Sequence, residues 1–313
     1  MRALFTTIIA GLFMLGTDAQ TISDWSNDQF LMFSTNPAYT TEVSSLTVGV
    51  NHARRWENLS SSPVQSNVAA MIPFSDMRMG MGGTIFSDQI GPFSTVGMGV
   101  SYSYRLPISR HGTDYLAMGM SAKLMHVKFD QNHFVAADEL DNLLSNVEGN
   151  KFVPPIFSVG FLYRSGTPTS NNPVQMHAGM AMTRFFPFQD RFNTLAFDRI
   201  YQWFGSAGLS IAATDELVIE PSLLLSDIDR NAVNVGFRVR ADFTRLGWGM
   251  MQYSKAGFLV TQLGARVGQN WGRGYHLEIS GTNSWHFGPI SNQLGSSLGF
   301  SVAYIRSLDQ GAF

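Results

Sequence analysis

Residues Ala232 to Phe243 read Ala-Val-Asn-Val-Gly-Phe-Arg-Val-Arg-Ala-Asp-Phe. Apolar side chains stand at every second position (Val233, Val235, Phe237, Val239, Ala241, Phe243), and Asn234, Gly236, Arg238, Arg240 and Asp242 fill the gaps. A strand turns successive side chains to opposite faces, so this stretch is a strand with one oily face and one wet face. In a soluble sandwich the oily face meets a second sheet. In a membrane barrel it meets lipid, and the wet face lines the interior. The same dyad pattern recurs along nearly the whole chain, so the choice between these two settings decides the fold.

Composition favours the barrel. Charged residues make up 14 % of the chain, against about 25 % in soluble domains. Gly (30), Phe (24) and Met (16) are abundant, mean hydropathy is +0.01, and lysine occurs only at 123, 128, 151 and 255. A secreted sandwich carries a more charged surface. Low charge with many glycines and aromatics suits a lipid-facing barrel. The net charge of −2 argues against nucleic acid as a partner.

The N-terminus reads as an export signal. Arg2 precedes an uncharged apolar run from Ala3 to Gly16, and Thr17-Asp18-Ala19 offers small residues for cleavage after Ala19. The apolar run is shorter than the roughly 20 residues of a spanning helix. With no cysteine in the chain, disulfides, thiolate metal sites and a lipoprotein anchor are all excluded.

Alternation yields an all-β, antiparallel, up-and-down transmembrane barrel of about fourteen strands. They lie near 44–54, 63–74, 78–88, 93–106, 114–129, 153–165, 174–186, 198–212, 215–226, 231–243, 245–254, 258–270, 273–284 and 294–307. Residues 1–19 are then the signal peptide, 20–43 a periplasmic or plug segment, and 44–313 the barrel. With the N-terminus periplasmic, the inward turns are short at 75–77, 213–215 and 271–274. The outward set includes longer loops at 55–62, 130–152, 187–197 and 285–293 beside tight turns at 89–91 and 255–257. Short periplasmic turns with longer outer loops are the barrel pattern.

Catalytic signatures do not withstand their context. Gly295-Ser296-Ser297-Leu298-Gly299 matches the nucleophile pattern by letter but lies in an alternating strand, where the required sharp strand-to-helix turn is missing. Gly80-Met81-Gly82-Gly83 has no following lysine for phosphate. The seven histidines show no zinc spacing. No cofactor, metal or catalytic residue is assigned, and the chain is read as a non-enzyme. Arg105, Arg238, Arg240, Asp242, Arg266 and Glu278 fall on the inward register. They form either a lumenal ion-pair network or a selectivity lining for a solute.

Further motifs stand in order along residues 29–106. Gln29-Phe30-Leu31-Met32-Phe33-Ser34-Thr35-Asn36-Pro37-Ala38-Tyr39 is followed by Arg54-Arg55-Trp56 and by Ser62-Pro63-Val64-Gln65. Gly82-Gly83, Asp88 and Gly91 come next, then Tyr102-Ser103-Tyr104-Arg105-Leu106. This ordered set resembles the PorP/SprF family of Bacteroidota outer-membrane proteins, which accompany type IX secretion and gliding motility. Two departures stand out: Thr40-Thr41 replaces the glycine usual after Asn-Pro-Ala-Tyr, and Trp56 directly follows Arg55. The resemblance implies a barrel in the outer-membrane lipid that docks or helps present a secreted, adhesin-like surface protein beside type IX components. The interaction residues it points to are Asn36, Pro37, Ala38, Arg55, Trp56, Pro63, Asp88, Gly91, Tyr102 and Tyr104. Asn36-Pro37 also suits a plain turn, and Trp56 a membrane-interface aromatic. The alternative function is a FadL-like transport barrel for small or hydrophobic solutes.

Overall fold

The computed structural model describes residues 29–42, 45–74, 78–109, 114–129, 150–166, 173–183, 202–229, 232–268, 274–288 and 291–307. The expected export signal, the whole 187–197 loop and the 130–152 loop up to residue 149 lie outside the described residues. Fourteen antiparallel strands follow one another: β1 (Ser45–Arg54), β2 (Val64–Phe74), β3 (Met79–Ile90), β4 (Phe93–Pro107), β5 (Tyr115–Phe129), β6 (Asn150–Arg164) and β7 (Val174–Thr183). The second half comprises β8 (Gln202–Ala212), β9 (Leu217–Asp229), β10 (Ala232–Phe243), β11 (Gly247–Ser254), β12 (Phe258–Val267), β13 (Tyr275–His286) and β14 (Ser297–Ser307). Each pairs with its sequence neighbours, and β1 pairs with β14 to close the barrel. Closure leaves no unpaired strand edge, the condition for a sheet to cross a bilayer.

The wall sorts its side chains as the alternation requires. On β4, Val96, Met98, Val100, Tyr102, Tyr104 and Leu106 are exposed outward, while Gly97, Gly99, Ser101 and Ser103 are buried inward. Ten residue rises separate Val96 from Leu106; at about 3.3 Å each and a tilt of about 40°, they span about 25 Å along the membrane normal. That matches the height of a barrel's apolar band. Tyr104, Tyr275 and Tyr304 stand on the outer surface near the end where the chain enters β1, and Tyr253 and Trp285 near the opposite end. Tyrosine and tryptophan settle at such interfaces because they pair an apolar ring with a polar tip.

Val100, 64 % exposed at mid-wall, gives a direct test of the lipid face. Val100→Arg is expected to lower stability by about 2–4 kcal/mol and Gln89→Arg, at the outer edge, by less than about 1 kcal/mol. Urea titration in lipid vesicles measures both; equal penalties contradict the assignment.

Several boundaries differ from the alternation reading by two to four residues, and two of them show why. β6 begins at Asn150 and runs through Pro154-Pro155, because the ladder with β5 skips a residue between Lys123 and Met125 and absorbs the proline pair as an irregularity. β13 continues to His286, with Phe258 of β12 opposite His286. Alternation is also broken at the inner face of β11 and β12, where Trp248, Met250, Phe258 and Val260 turn inward and form their own buried cluster.

Candidate functional site

Inside the barrel lies the segment that precedes β1. It forms two 3-10 turns, Gln29–Ser34 and Pro37–Thr41, which lie against the inner faces of β1 to β6. It crosses the lumen: Phe30 packs at Gly49 of β1, and the Tyr39 hydroxyl meets that of Ser206 on β8 at 3.1 Å. In a ring of fourteen, β1 and β8 stand half a circuit apart. Phe30, Leu31, Phe33, Ala38 and Tyr39 form one buried cluster with Ala69, Met71, Tyr115, Ala117, Leu162 and Ala303 of the wall. Burial pushes the Tyr39 phenol above its ordinary value, so the group works as a neutral hydrogen-bonding partner.

Asn36 shows why the turn carries that residue. Its Oδ1 accepts from the Ala38 amide at 3.0 Å and caps the second turn, where Pro37 supplies a preset φ. Its Nδ2 donates to the Phe161 carbonyl at 3.1 Å and the Met180 carbonyl at 3.4 Å, on adjacent strands β6 and β7. One side chain therefore ends the turn and ties it to the wall. Glycines make the approach possible: a Cβ on Gly160 would collide with Asn36 Oδ1, and one on Gly119 with the Pro37–Ala38 peptide. A Cβ on Gly80 would press on the Thr40 carbonyl, and one on Gly82 on the Phe33 ring. Thr40 Oγ1 completes the seat, within 2.8 Å of Ser101 Oγ on β4.

Charges fix both ends of the segment. Lys123 Nζ donates to the Ser34 carbonyl at 2.7 Å. Arg105 donates to the Thr41 carbonyl while its guanidinium lies over the Tyr115 ring, 4.4 Å from the centroid. Glu42 pairs with Arg164 and accepts from the Tyr115 hydroxyl at 3.0 Å. Arg164 in turn donates to Gln175 Oε1 at 3.1 Å.

Beyond the segment, β9 to β13 carry a chain of alternating charge. Arg240 meets Asp242 at 2.9 Å, and Arg266 joins Asp242 at 2.6 Å to Glu278 at 2.8 Å. Glu220 faces Arg240 at 4.0 Å, and the Arg240 guanidinium also covers the Trp248 ring at 4.4 Å. Of the six inward charges read from the alternation, four join this network. Arg105 instead holds the inner segment, and Arg238 donates to Gln252 Oε1 at 2.9 and 3.0 Å.

The motif residues fall in three places. Asn36, Pro37 and Ala38 are buried in the lumen. Arg55, Trp56, Pro63, Asp88 and Gly91 gather at the rim of β1 to β4 opposite the end where the chain enters β1. The Arg55 amide donates to the Pro63 carbonyl at 2.9 Å, and Asp88 lies within electrostatic range of Arg55. Gly91 turns β3 into β4 with φ of 56°, a left-handed conformation that favours glycine. The 55–63 loop is stitched to the loop before β14 by Glu57 N to Ser296 O at 2.9 Å and Asn58 N to Leu294 O at 3.2 Å. Ser297 Oγ accepts from the Trp56 amide at 3.3 Å. Tyr102 and Tyr104 point to lipid on β4, away from both other groups. The motif residues thus lie in three separate places and are not brought together. Glu42, Gly119, Gly160 and Arg164 were absent from the residues read by motif. Gly119, Gly160 and Arg164 were signalled as small or charged residues on the inner register, which alternation locates but does not connect; Glu42, before β1, had no such signal.

Among the described residues no group of His, Asp and Glu is arranged to hold a metal. Comparison with curated proteins found no match. Among solved structures, a TodX variant, a monoaromatic hydrocarbon channel, is similar with a TM-score of 0.50 and 8 % identity, over 88 % of this chain and 94 % of that one. The CymD monoaromatic hydrocarbon channel is similar at 0.49 and 11 %, over 96 % of each chain. A Pseudomonas aeruginosa FadL homologue reaches 0.47 and 10 %, over 94 % of this chain and 99 % of that one. At such identities the likeness concerns barrel architecture alone. The profile of the type IX secretion system membrane protein PorP/SprF matches residues 19–304, and the chain accordingly belongs to that family of outer-membrane barrels.

Proposed function

We propose that this barrel docks or helps present a secreted cell-surface protein at the type IX machinery, without chemistry of its own. The observation that carries the reading is the filled lumen. A segment tied to the wall by Asn36, Thr40, Arg105, Lys123 and Arg164 crosses the barrel's full width. The Glu220–Arg240–Asp242–Arg266–Glu278 chain and the Trp248 cluster occupy the far wall. A barrel filled at this level offers partners its rims and loops and not a standing aqueous path. The 55–63 rim, stitched to the loop before β14, serves as the platform, and the segment between β5 and β6 is the longest stretch between consecutive strands. Loop closure cost varies only with the logarithm of length, so that segment can change without disturbing the wall.

Deletion of residues 132–148 is expected to leave a folded, heat-modifiable barrel while surface display of the client falls. Fluorescent antibody counts on intact cells measure the display, and gliding speed is a second readout where the client is an adhesin. Removal of the whole barrel is the stronger test. Normal display of every large surface protein, together with collapsed uptake of some solute, would replace docking with the FadL-like transport reading.

A further inference from the structure

One interruption of the lipid-facing wall lies on β1. On β1 the outward side chains are Leu46, Val48 and Val50, then His52 and Arg54. Three apolar positions stand there where β4 has six. Read across the ladders, His52 pairs with Ser66, Ser66 with Ser87, and Ser87 with Val96, the outermost apolar residue of that run on β4. The polar row thus shares its register with an outward apolar residue of β4. His52 Nδ1 and Ser66 Oγ are 2.8 Å apart. Arg54 lies on the same face two residues outward and is exposed. It donates to a hydroxyl, Ser62 Oγ at 3.3 Å, and no carboxylate among the described residues pairs with it. Among the described strand side chains that face outward, the charged ones are Arg54, Lys128 and Arg306, all basic.

Toward β12 the same row becomes a notch. His52 pairs with Phe300, Phe300 with Gly281, and Gly281 with Leu263. The Phe300 ring lies 5.5 Å from the His52 ring. Phe300 is 54 % and Leu263 74 % exposed, while a Cβ on Gly281 would meet nothing within 4 Å. One basic corner therefore adjoins a gap between two apolar side chains, all on the membrane-facing surface.

We propose that this surface is a binding site for a phosphorylated glycolipid of the outer leaflet, with His52 and Arg54 holding the phosphate and the Gly281 notch an acyl chain. Ionisable groups at the lipid face are costly unless they find a partner, and a phosphate supplies one of opposite charge. Basic side chains near an anionic lipid surface add to the attraction. The stitched rim sets the geometry, since Ser62 Oγ also donates to the Leu59 carbonyl at 2.6 Å and fixes the hydroxyl that Arg54 touches.

The test is native mass spectrometry of the full barrel released from vesicles of phosphatidylcholine containing diphosphoryl lipid A. The wild type is expected to retain diphosphoryl lipid A in preference to its monophosphoryl form. His52→Ala/Arg54→Ala should retain about tenfold less, Arg54→Lys most of it, and Arg306→Ala, at the opposite rim, as much as the wild type. Gly281→Trp fills the notch without altering charge and should also lower retention severalfold, which keeps the test decisive if the double variant misfolds. Equal retention by folded double variant and wild type overturns the proposal. So does indifference to the phosphate, or selective loss of a co-purifying membrane protein with lipid retention unchanged.

Discussion

Gly119→Leu is expected to unseat the inner segment while the fourteen strands still assemble. The position faces the Pro37–Ala38 peptide, so a side chain there meets backbone that has no rotamer to escape into. Gly160→Leu should behave alike, because its Cβ would take the place of Asn36 Oδ1. Overpacking of a tight core commonly costs about 1–3 kcal/mol. Here the loss is larger, because the Asn36 bonds to the Phe161 and Met180 carbonyls and the buried Phe30–Tyr39 contacts go together. The chain has no cysteine, so Thr41→Cys, buried at 3 % exposure, gives a single reporter. In folded barrels it should resist a maleimide reagent in the parent and react quickly in either glycine variant. Planar-bilayer recordings should show little conductance for the parent and open channels for the variants. Equal labelling in all three would mean that the segment does not depend on this cradle.

The glycine cradle marks the limit of what periodicity can convey. Alternation on β4, β10 and β14 separates lipid face from lumen because the two environments demand opposite polarity at every second residue. It therefore located β1 to β14 to within a few residues. It is silent about which lumenal residues touch, since a Gly, Ser or Arg on the wet face is equally acceptable to water. The pairing of Glu42 with Arg164 spans more than a hundred residues and joins a short turn to a distant strand, so no local pattern encodes it. The ion pairs of β9 to β13 were more legible, because Arg240, Asp242, Arg266 and Glu278 all stand on the inward register of β10, β12 and β13. Asn36-Pro37 announced a turn by its chemistry, but only the tertiary structure places that turn inside the barrel, where the same asparagine amide reaches two strands.

Glu42→Ala should release the same segment by removing one half of a buried ion pair. Arg164 would keep its contact with Gln175 but lose its carboxylate, in a setting where Glu42 has only 10 % side-chain exposure. Taking away one member of such a pair typically costs about 3–5 kcal/mol, mainly because the remaining charge is stranded out of water. If that cost falls on seating, labelling of Thr41→Cys should accelerate by more than about a hundredfold, at 1.4 kcal/mol per factor of ten. The Tyr115 hydroxyl would also lose its acceptor. Because stranding dominates, Glu42→Ala/Arg164→Ala should label more slowly than Glu42→Ala alone, although it contains one more deletion. Glu42→Gln, which keeps an acceptor for Tyr115 but no charge, should fall between the parent and Glu42→Ala. Additive effects of Glu42→Ala and Arg164→Ala would show that the two side chains act independently. The latch would then reduce to the Arg105 bond at Thr41 and the Lys123 bond at Ser34, both of which hold backbone carbonyls and need no partner charge.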